Sequence, residues 1–226
     1  MPNIKNNHSL VSTTDLSNQA VVLVHGIWVG SWVMGKLARR FSSVGYVTYK
    51  FGYQTVKKSP EQNAKLLAEF VQSIDQPVIH FVAHSLGGLV LLHYINLDRS
   101  LKNARPGREV FLGSPLKGSG RAPRVLKIPF GRQLLGRSLQ SGLLDPDLPI
   151  PAQAESGMVC GNIGLGFGLL VGSFREPNDG TIAVRETRLD GLKDHIIKPV
   201  NHTGLLTSSA VARQALAFLQ HGNFQR

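Results

Sequence analysis

The chain has 226 residues and a formal net charge of +11, with 42% hydrophobic and 17% charged residues. This length can bury one complete core. The composition excludes a largely disordered chain and predicts a single domain over 1–226, with a loose polar segment at 1–19. The one cysteine, Cys160, excludes a disulfide within the chain, and its apolar neighbours predict a buried thiol.

Several other classes of protein are disfavoured. The first residues lack the charged start and apolar core of a secretory signal, which predicts a cytoplasmic location. The apolar stretch at 163–172 is too short to span a bilayer. No histidine pair or carboxylate cluster has metal-ligand spacing, so we expect neither a metal nor another cofactor. The positive charge is concentrated between 114 and 144, with six basic and no acidic residues, which argues against nucleic acid as a partner.

The first half of the chain alternates between strand and helix patterns. Runs of strand-forming residues at 20–24 and 46–51 predict strands, and the helical spacing of apolar residues in 33–44 predicts a helix between them. A capping pattern at Ser59 begins a second helix, which Pro77 ends. This alternation predicts an α/β fold with a mostly parallel sheet that is covered on both faces.

The next stretch, 77–94, reads as a buried strand, an abrupt turn and a buried helix. Its turn, 83–87, fits the pattern small-x-Ser-x-small, in which small residues let strand and helix pack closely while the serine is strained and its hydroxyl exposed. We therefore interpret Ser85 as a catalytic nucleophile. The N–H of Leu86 begins the helix, where unpaired donors and the helix dipole stabilise an oxyanion.

The second half of the chain interrupts this rhythm. Residues 109–115 and 156–161 predict further strands, and apolar spacing up to Leu219 predicts a last helix. Segment 116–151 between these strands is rich in glycine, proline and arginine. We interpret it as a mobile, lid-like insertion whose apolar side chains cover an acyl pocket and whose cations face outward. The alternative is an ordinary loop insertion with a solvated, charged face.

A serine nucleophile needs a base, and the base needs an acid that orients it. His202 is favoured as the base because it lies in a loop before a helix, with His195 as its main rival. His25 suits a structural role beside an oxyanion loop. Asp179 is favoured as the acid, since it lies before a β-branched run and between Ser85 and His202 in the sequence. The alternatives for the acid are Asp190, Asp194 and Glu176.

These motifs resemble those of the α/β-hydrolase superfamily, especially small bacterial lipases and esterases related to the PGAP-like lipases. The resemblance covers 20–220. It rests on His25-Gly26, Ala83-His84-Ser85-Leu86-Gly87-Gly88, Gly113-Ser114-Pro115 with Gly118-Ser119, Asp179-Gly180 and His202. Ala83 replaces the usual first glycine of the turn. The resemblance implies a three-layer fold whose sheet is trimmed to about six strands, since the N-terminal segment is too short for the two opening strands of the full fold.

We therefore expect a serine hydrolase that cleaves carboxylic esters through an acyl-enzyme, as an esterase or a lipase. The expected catalytic residues are Ser85, Asp179 and His202. The expected oxyanion donors are the backbone N–H groups of Ile27 and Leu86. The expected substrate-binding residues are Trp28 and Trp32.

Two alternatives to ester hydrolysis remain open. The same triad would also serve an acyltransferase or a thioesterase. A non-catalytic protein could instead keep the scaffold and bind an acidic partner through its basic segment. We expect a small-molecule or lipid ester as the substrate, and the basic segment favours an anionic membrane surface as a further partner, with a peripheral location.

Overall fold

The computed structural model describes residues 15–98, 107–144, 146–166 and 176–226. The strands are β1 (Gln19–Val24), β2 (Val47–Phe51), β3 (Val78–His84), β4 (Glu109–Leu112), β5 (Ser156–Gly161) and β6 (Asp194–Lys198). The α-helices are α1 (Gly35–Ser42), α2 (Pro60–Gln72), α3 (Leu86–Asp98), α4 (Ala122–Val125), α5 (Gly131–Leu135), α6 (Gly204–Thr207) and α7 (Ser209–His221). Short 3-10 turns are formed by Leu16–Asn18, Ser31–Met34, Gly136–Leu139 and Val184–Thr187.

The six strands form one sheet in the order β2-β1-β3-β4-β5-β6. Every pairing between these strands is parallel. The predicted sheet of about six mostly parallel strands is therefore confirmed. Because all strands run in one direction, their carboxyl ends meet at one edge of the sheet, where an open α/β sheet places its ligand site.

Both faces of the sheet are covered, which explains the continuous apolar runs in the strands. Along β1, Val22 packs in a cluster with residues of α2 and α3, whereas Leu23 packs in a second cluster with residues of α1 and α7. Side chains alternate across a strand, so each face of the sheet contributes to its own core. The result is a three-layer structure.

The sixth strand lies later in the chain than the β-branched run after Asp179. That run is not a strand of the sheet, because Asn178 and Ala183 form an isolated antiparallel bridge and a 3-10 turn follows at Val184–Thr187. The edge strand is instead β6, which pairs with β5.

The N-terminal segment and the glycine-rich stretch are only partly described. Within 1–19, residues 16–18 form a 3-10 turn and Gln19 begins β1, while 1–14 lie outside the described residues. Within 163–172, residues 167–172 also lie outside them. Among the helices that are described, none is both long and apolar enough to cross a membrane. Cys160 is buried in β5, and burial raises the pKa of its thiol to about 11.

The start of α3 packs directly against the end of β1. A Cβ atom added at Gly87 would lie 2.7 Å from the carbonyl oxygen of Val24 and would also overlap that of His25. Both obstacles are backbone atoms, which cannot move aside as a flexible side chain can. Only glycine therefore allows this approach of helix and strand.

We expect Gly87→Ala to lower the free energy of unfolding by at least about 1–3 kcal/mol, the range for overpacked cores. Gly35→Ala is the matched control. Gly35 begins α1 in helical conformation with nothing within 4 Å of an added Cβ, so alanine should be neutral or stabilise by up to about 1 kcal/mol. Urea unfolding of both variants measures the difference, and equal stability of the two would show that this contact does not constrain the fold.

Candidate active site

Ser85 lies at the junction of β3 and α3, with no loop on either side. β3 ends at His84 and α3 begins at Leu86. The φ angle of Ser85 is 54°, in the left-handed region that residues other than glycine rarely adopt. Its N–H donates a hydrogen bond to the carbonyl oxygen of Leu112 in β4, at 3.0 Å. Strain of this kind persists only where the surrounding structure enforces it, and it is concentrated at functional sites.

Asp179 and His202 form a hydrogen-bonded pair in two loops beyond the sheet edge. The Nδ1–H of His202 donates to Oδ2 of Asp179 at 2.6 Å, and the N–H of His202 donates to the carbonyl oxygen of Asp179 at 2.8 Å. The Oδ1 atom of Asp179 accepts from the N–H groups of Thr181 and Ile182. The imidazole is therefore fixed in the tautomer that leaves Nε2 free to act as a base.

The environment of Asp179 keeps its carboxyl group ionised. Burial alone would raise its pKa, but the His202 ring and the N–H donors of Thr181 and Ile182 outweigh burial and lower the pKa below its ordinary value. A buried carboxylate needs such partners, because an isolated buried charge is costly. Asp179 can therefore orient His202 and stabilise its imidazolium form.

His84 brings this pair next to the serine. The Nε2–H of His84, the residue before Ser85, donates to the carbonyl oxygen of His202 at 3.1 Å, and the two imidazole rings are 4.6 Å apart. Burial lowers the pKa of His84 to about 3, so its ring is neutral. Ser85, Asp179 and His202, which lie far apart in the sequence, thus converge at one edge of the sheet.

The rivals for the base and the acid are engaged elsewhere. His195 lies on β6, where its Nε2 contacts the hydroxyl of Thr187 at 2.9 Å. Glu176 forms an ion pair with Arg185, and the carboxylate of Asp194 accepts a hydrogen bond from the N–H of Phe224. Asp190 is exposed. The geometry therefore favours His202 and Asp179 over these four residues.

Ile27, Ser85 and Leu86 line the same cavity. Leu86 is the first residue of α3, so its N–H has no acceptor one helical turn earlier. A Cβ added at Gly26 would lie 3.1 Å from the Cβ of Ser85, which shows how closely the loop before Ile27 packs on the serine. Both residues that are predicted to supply oxyanion donors therefore line the cavity that opens at the serine.

A cavity of about 220 Å³ opens at Ser85. Its walls are mostly apolar. They are formed by Ile27, Trp28, Ser85, Leu86, Ser119, Arg121, Ala122, Val125, Ile128, Leu134, Leu135, Leu143, Thr181 and Ile182. Eight of these residues lie in 116–151, so that segment forms much of the cavity wall.

The two predicted substrate-binding tryptophans differ in position. Trp28 lines the cavity, and its indole N–H donates to the carbonyl oxygen of Leu134 in α5 at 2.7 Å. Trp32 is 74% exposed and does not line the cavity. In the 3-10 turn of Ser31–Met34, Met34 takes the buried position and Trp32 points away from the core. The expectation that Trp32 lines the pocket is therefore corrected.

The cations of segment 116–151 also divide into two groups. The exposed ones are Lys117, Arg124, Lys127, Arg132 and Arg137. Arg121 is 5% exposed and lines the cavity, so the expectation that every cation faces outward is corrected for this residue. Buried Glu186, which the sequence did not single out, accepts hydrogen bonds from the N–H groups of Gly120 and Ala183, and it thereby ties the segment to the loop of Asp179.

Comparisons with known proteins agree with this arrangement. A model of the "Alpha/beta hydrolase family" matches residues 21–209. No curated protein matches the chain significantly. The mature lipase BlEst2 of Bacillus licheniformis is 18% identical, with 93% of this chain and 94% of that chain covered and a TM-score of 0.71. The metagenomic carboxyl esterase MGS0156 is 17% identical, with 91% of this chain and 75% of that chain covered and a TM-score of 0.63. The RedJ thioesterase of Streptomyces coelicolor is 13% identical, with 91% of this chain and 86% of that chain covered and a TM-score of 0.62. At these identities the likeness shows the shared fold.

We expect a fluorophosphonate to label the wild-type chain at Ser85 and to leave Ser85→Ala unlabelled. His202→Ala should slow labelling at least about 100-fold, because general-base assistance typically contributes 10²–10⁴-fold. His195→Ala is the matched control and should label at the wild-type rate. Intact mass measured over time gives these rates, and slower labelling of His195→Ala than of His202→Ala would transfer the role of base to His195.

Proposed function

The chain belongs to the alpha/beta hydrolase family, and we propose that it is a serine hydrolase that cleaves carboxylic esters, as an esterase or a lipase. One observation carries the proposal. The hydrogen-bonded pair of Asp179 and His202 contacts His84, the residue before Ser85, and Ser85 itself is held in left-handed conformation in the wall of an apolar cavity. Nucleophile, base and orienting acid in this relation are what acyl transfer requires.

The proposed reaction has two steps. His202 Nε2 takes the proton of Ser85 as its oxygen attacks the ester carbonyl, and the oxyanion that forms accepts from the N–H groups of Ile27 and Leu86. His202 then gives the proton to the leaving alcohol, which leaves an acyl group on Ser85. Water, activated by His202, releases the acid and restores the serine. Throughout, Asp179 stabilises the imidazolium.

The cavity supports an apolar acyl group as the part of the substrate that it holds. Its volume of about 220 Å³ lies below the roughly 300–1,000 Å³ of pockets that enclose drug-sized ligands. Short acyl chains therefore fit inside it, while longer chains would extend beyond the cover formed by 116–151. We expect turnover to favour short over long acyl chains.

Acyl transfer to an alcohol, or cleavage of a thioester, would use the same acyl-enzyme. One of the similar structures is a thioesterase. Added alcohol or thiol discriminates these functions from ester hydrolysis, because a transferase would pass its acyl group to the added nucleophile in preference to water. A non-catalytic binding protein would show neither reaction.

We expect Ser85→Ala to lower the rate of hydrolysis of p-nitrophenyl esters by at least about three orders of magnitude. Asp179→Asn should also lose a large part of the wild-type rate, because an amide offers His202 a different hydrogen-bonding pattern. Initial rates over esters from acetate to palmitate measure both effects.

The control for Asp179→Asn is Asp190→Asn, which changes an exposed carboxylate and should leave the rates unchanged. Wild-type turnover in Asp179→Asn would remove Asp179 from the proposed mechanism. Undiminished turnover in Ser85→Ala would contradict the serine mechanism altogether.

We further propose that the cover binds an anionic membrane surface. Apolar side chains are exposed at and near the cavity. Trp28 and Leu134 line it, are partly exposed and are hydrogen-bonded to each other. Phe130 is 75% exposed at the start of α5. The exposed cations Lys127 and Arg132 flank Phe130 in the sequence. Exposed aromatic and basic side chains in alternation suit the boundary of anionic head groups and acyl chains.

Reversing the charge of Arg124, Lys127, Arg132 and Arg137 together should weaken binding to anionic vesicles, with each lost cation removing about 1 kcal/mol at low salt. Hydrolysis of a small soluble ester should persist, since these side chains are exposed and take no part in the chemistry. Vesicle sedimentation at low and high salt measures the effect, because salt screens the electrostatic attraction and limits its range to about 10 Å at 0.1 M. Binding that neither salt nor charge reversal changes would refute the proposal.

A further inference from the structure

A pair of stacked rings, the buried His25 and the partly buried Tyr53, lies next to the loop that carries Ile27. His25 follows β1 and is 1% exposed. Its ring stacks on that of Tyr53 with centroids 4.4 Å apart. The hydroxyl of Tyr53 donates to the carbonyl oxygen of His25 at 2.8 Å. Tyr53 therefore holds both the ring and the backbone of His25.

The hydrogen bonds of His25 select one tautomer. Nδ1 lies 2.9 Å from the carbonyl oxygen of Gly26, which can only accept, so Nδ1 carries the proton. Nε2 accepts the N–H of Tyr53 at 3.4 Å, which requires that Nε2 be unprotonated. Burial lowers the pKa of His25 below its ordinary value, which keeps the ring in the neutral form that both bonds need.

The carbonyl group of Gly26, which accepts the hydrogen bond from His25 Nδ1, belongs to the same peptide unit as the N–H of Ile27. A trans peptide is planar, with its C=O and N–H pointing in opposite directions, and no cis peptide bond occurs among the described residues. Fixing the oxygen of Gly26 therefore fixes the direction of the Ile27 N–H. A hydrogen bond to the oxygen also polarises the peptide, which makes its N–H a stronger donor.

We propose that His25 is a positioning residue that aims the Ile27 N–H at the oxyanion, and that Tyr53 holds His25 in place. This inference rests on the proposed ester hydrolysis and specifies how that site stabilises its transition state. A role in packing alone needs only a side chain of similar size at position 25. Positioning needs a donor where Nδ1 now lies.

Two amide substitutions separate positioning from packing. In His25→Asn the side-chain nitrogen falls close to the present Nδ1, so the bond to Gly26 is retained. In His25→Gln the nitrogen lies one carbon further, close to the present Nε2, so this bond is lost. We expect His25→Gln to lower kcat at least about tenfold, towards the 10²–10³-fold cost of removing a whole oxyanion donor, with KM little changed. His25→Asn should recover most of that loss.

Tyr53→Phe gives a second test that changes the fold little. It removes the hydroxyl that holds the His25 carbonyl, and it should lower kcat by a smaller factor than His25→Gln. Tyr49→Phe is its control, because the Tyr49 hydroxyl donates to Gln76 away from the cavity, and its kcat should equal that of the wild type. Thermal unfolding of each variant verifies that it is folded.

The affinity for a trifluoromethyl ketone gives a readout specific to the oxyanion. Its adduct with Ser85 carries an oxyanion, so its Ki should rise with the loss of kcat across the variants. Equal kcat in His25→Asn and His25→Gln, or a trifluoromethyl ketone Ki that stays constant across all variants, would overturn the inference while ester hydrolysis stands. Absence of wild-type turnover that depends on Ser85 would instead overturn the proposed function, and the inference with it.

Discussion

The left-handed backbone of Ser85 is the constraint on which the rest of the site depends. It lets β3 pass directly into α3, so that the serine stands at the sheet edge and Leu86 lines the same cavity. The turn closes only because Gly87 allows α3 to touch the carbonyl oxygens at the end of β1. That contact sets the His25-Gly26-Ile27 loop against the serine. Nucleophile and both proposed oxyanion donors are therefore placed by one backbone arrangement.

The second requirement is a charge that remains inside the protein without destabilising it. Asp179 is buried, and it remains ionised because His202 and two backbone N–H groups compensate the cost of burial. The neighbouring ring of His84 stays neutral. The imidazolium that would form on His202 during turnover is therefore stabilised by the carboxylate of Asp179 and is not repelled by a positive charge on His84. This asymmetry favours proton transfer towards His202.

The sequence predicted the features that depend on local pattern and missed those that depend on which way a side chain points. Runs of strand-forming residues indicate five of the strands, and most of these runs are apolar because the strands are buried on both faces. The turn at Ser85 follows from small residues at fixed spacing. The edge strand β6 has an exposed residue, Ile197, and gave a weaker signal. Trp32 and Arg121 lie in different surroundings from those that the sequence predicts, because a local pattern does not show which residue of a short turn faces the core. The pair of His25 and Tyr53 arises from contacts across 28 positions, which no local pattern encodes.

Trapping of the acyl-enzyme would show which residue is the nucleophile. The chain would be mixed with a p-nitrophenyl ester, quenched in acid during turnover and digested, and the peptides would be weighed. If Ser85 is the nucleophile, one peptide will have gained the mass of one acyl group, and fragmentation will place that group on Ser85. Turnover of the same ester with the acyl group on another residue would contradict this role of Ser85.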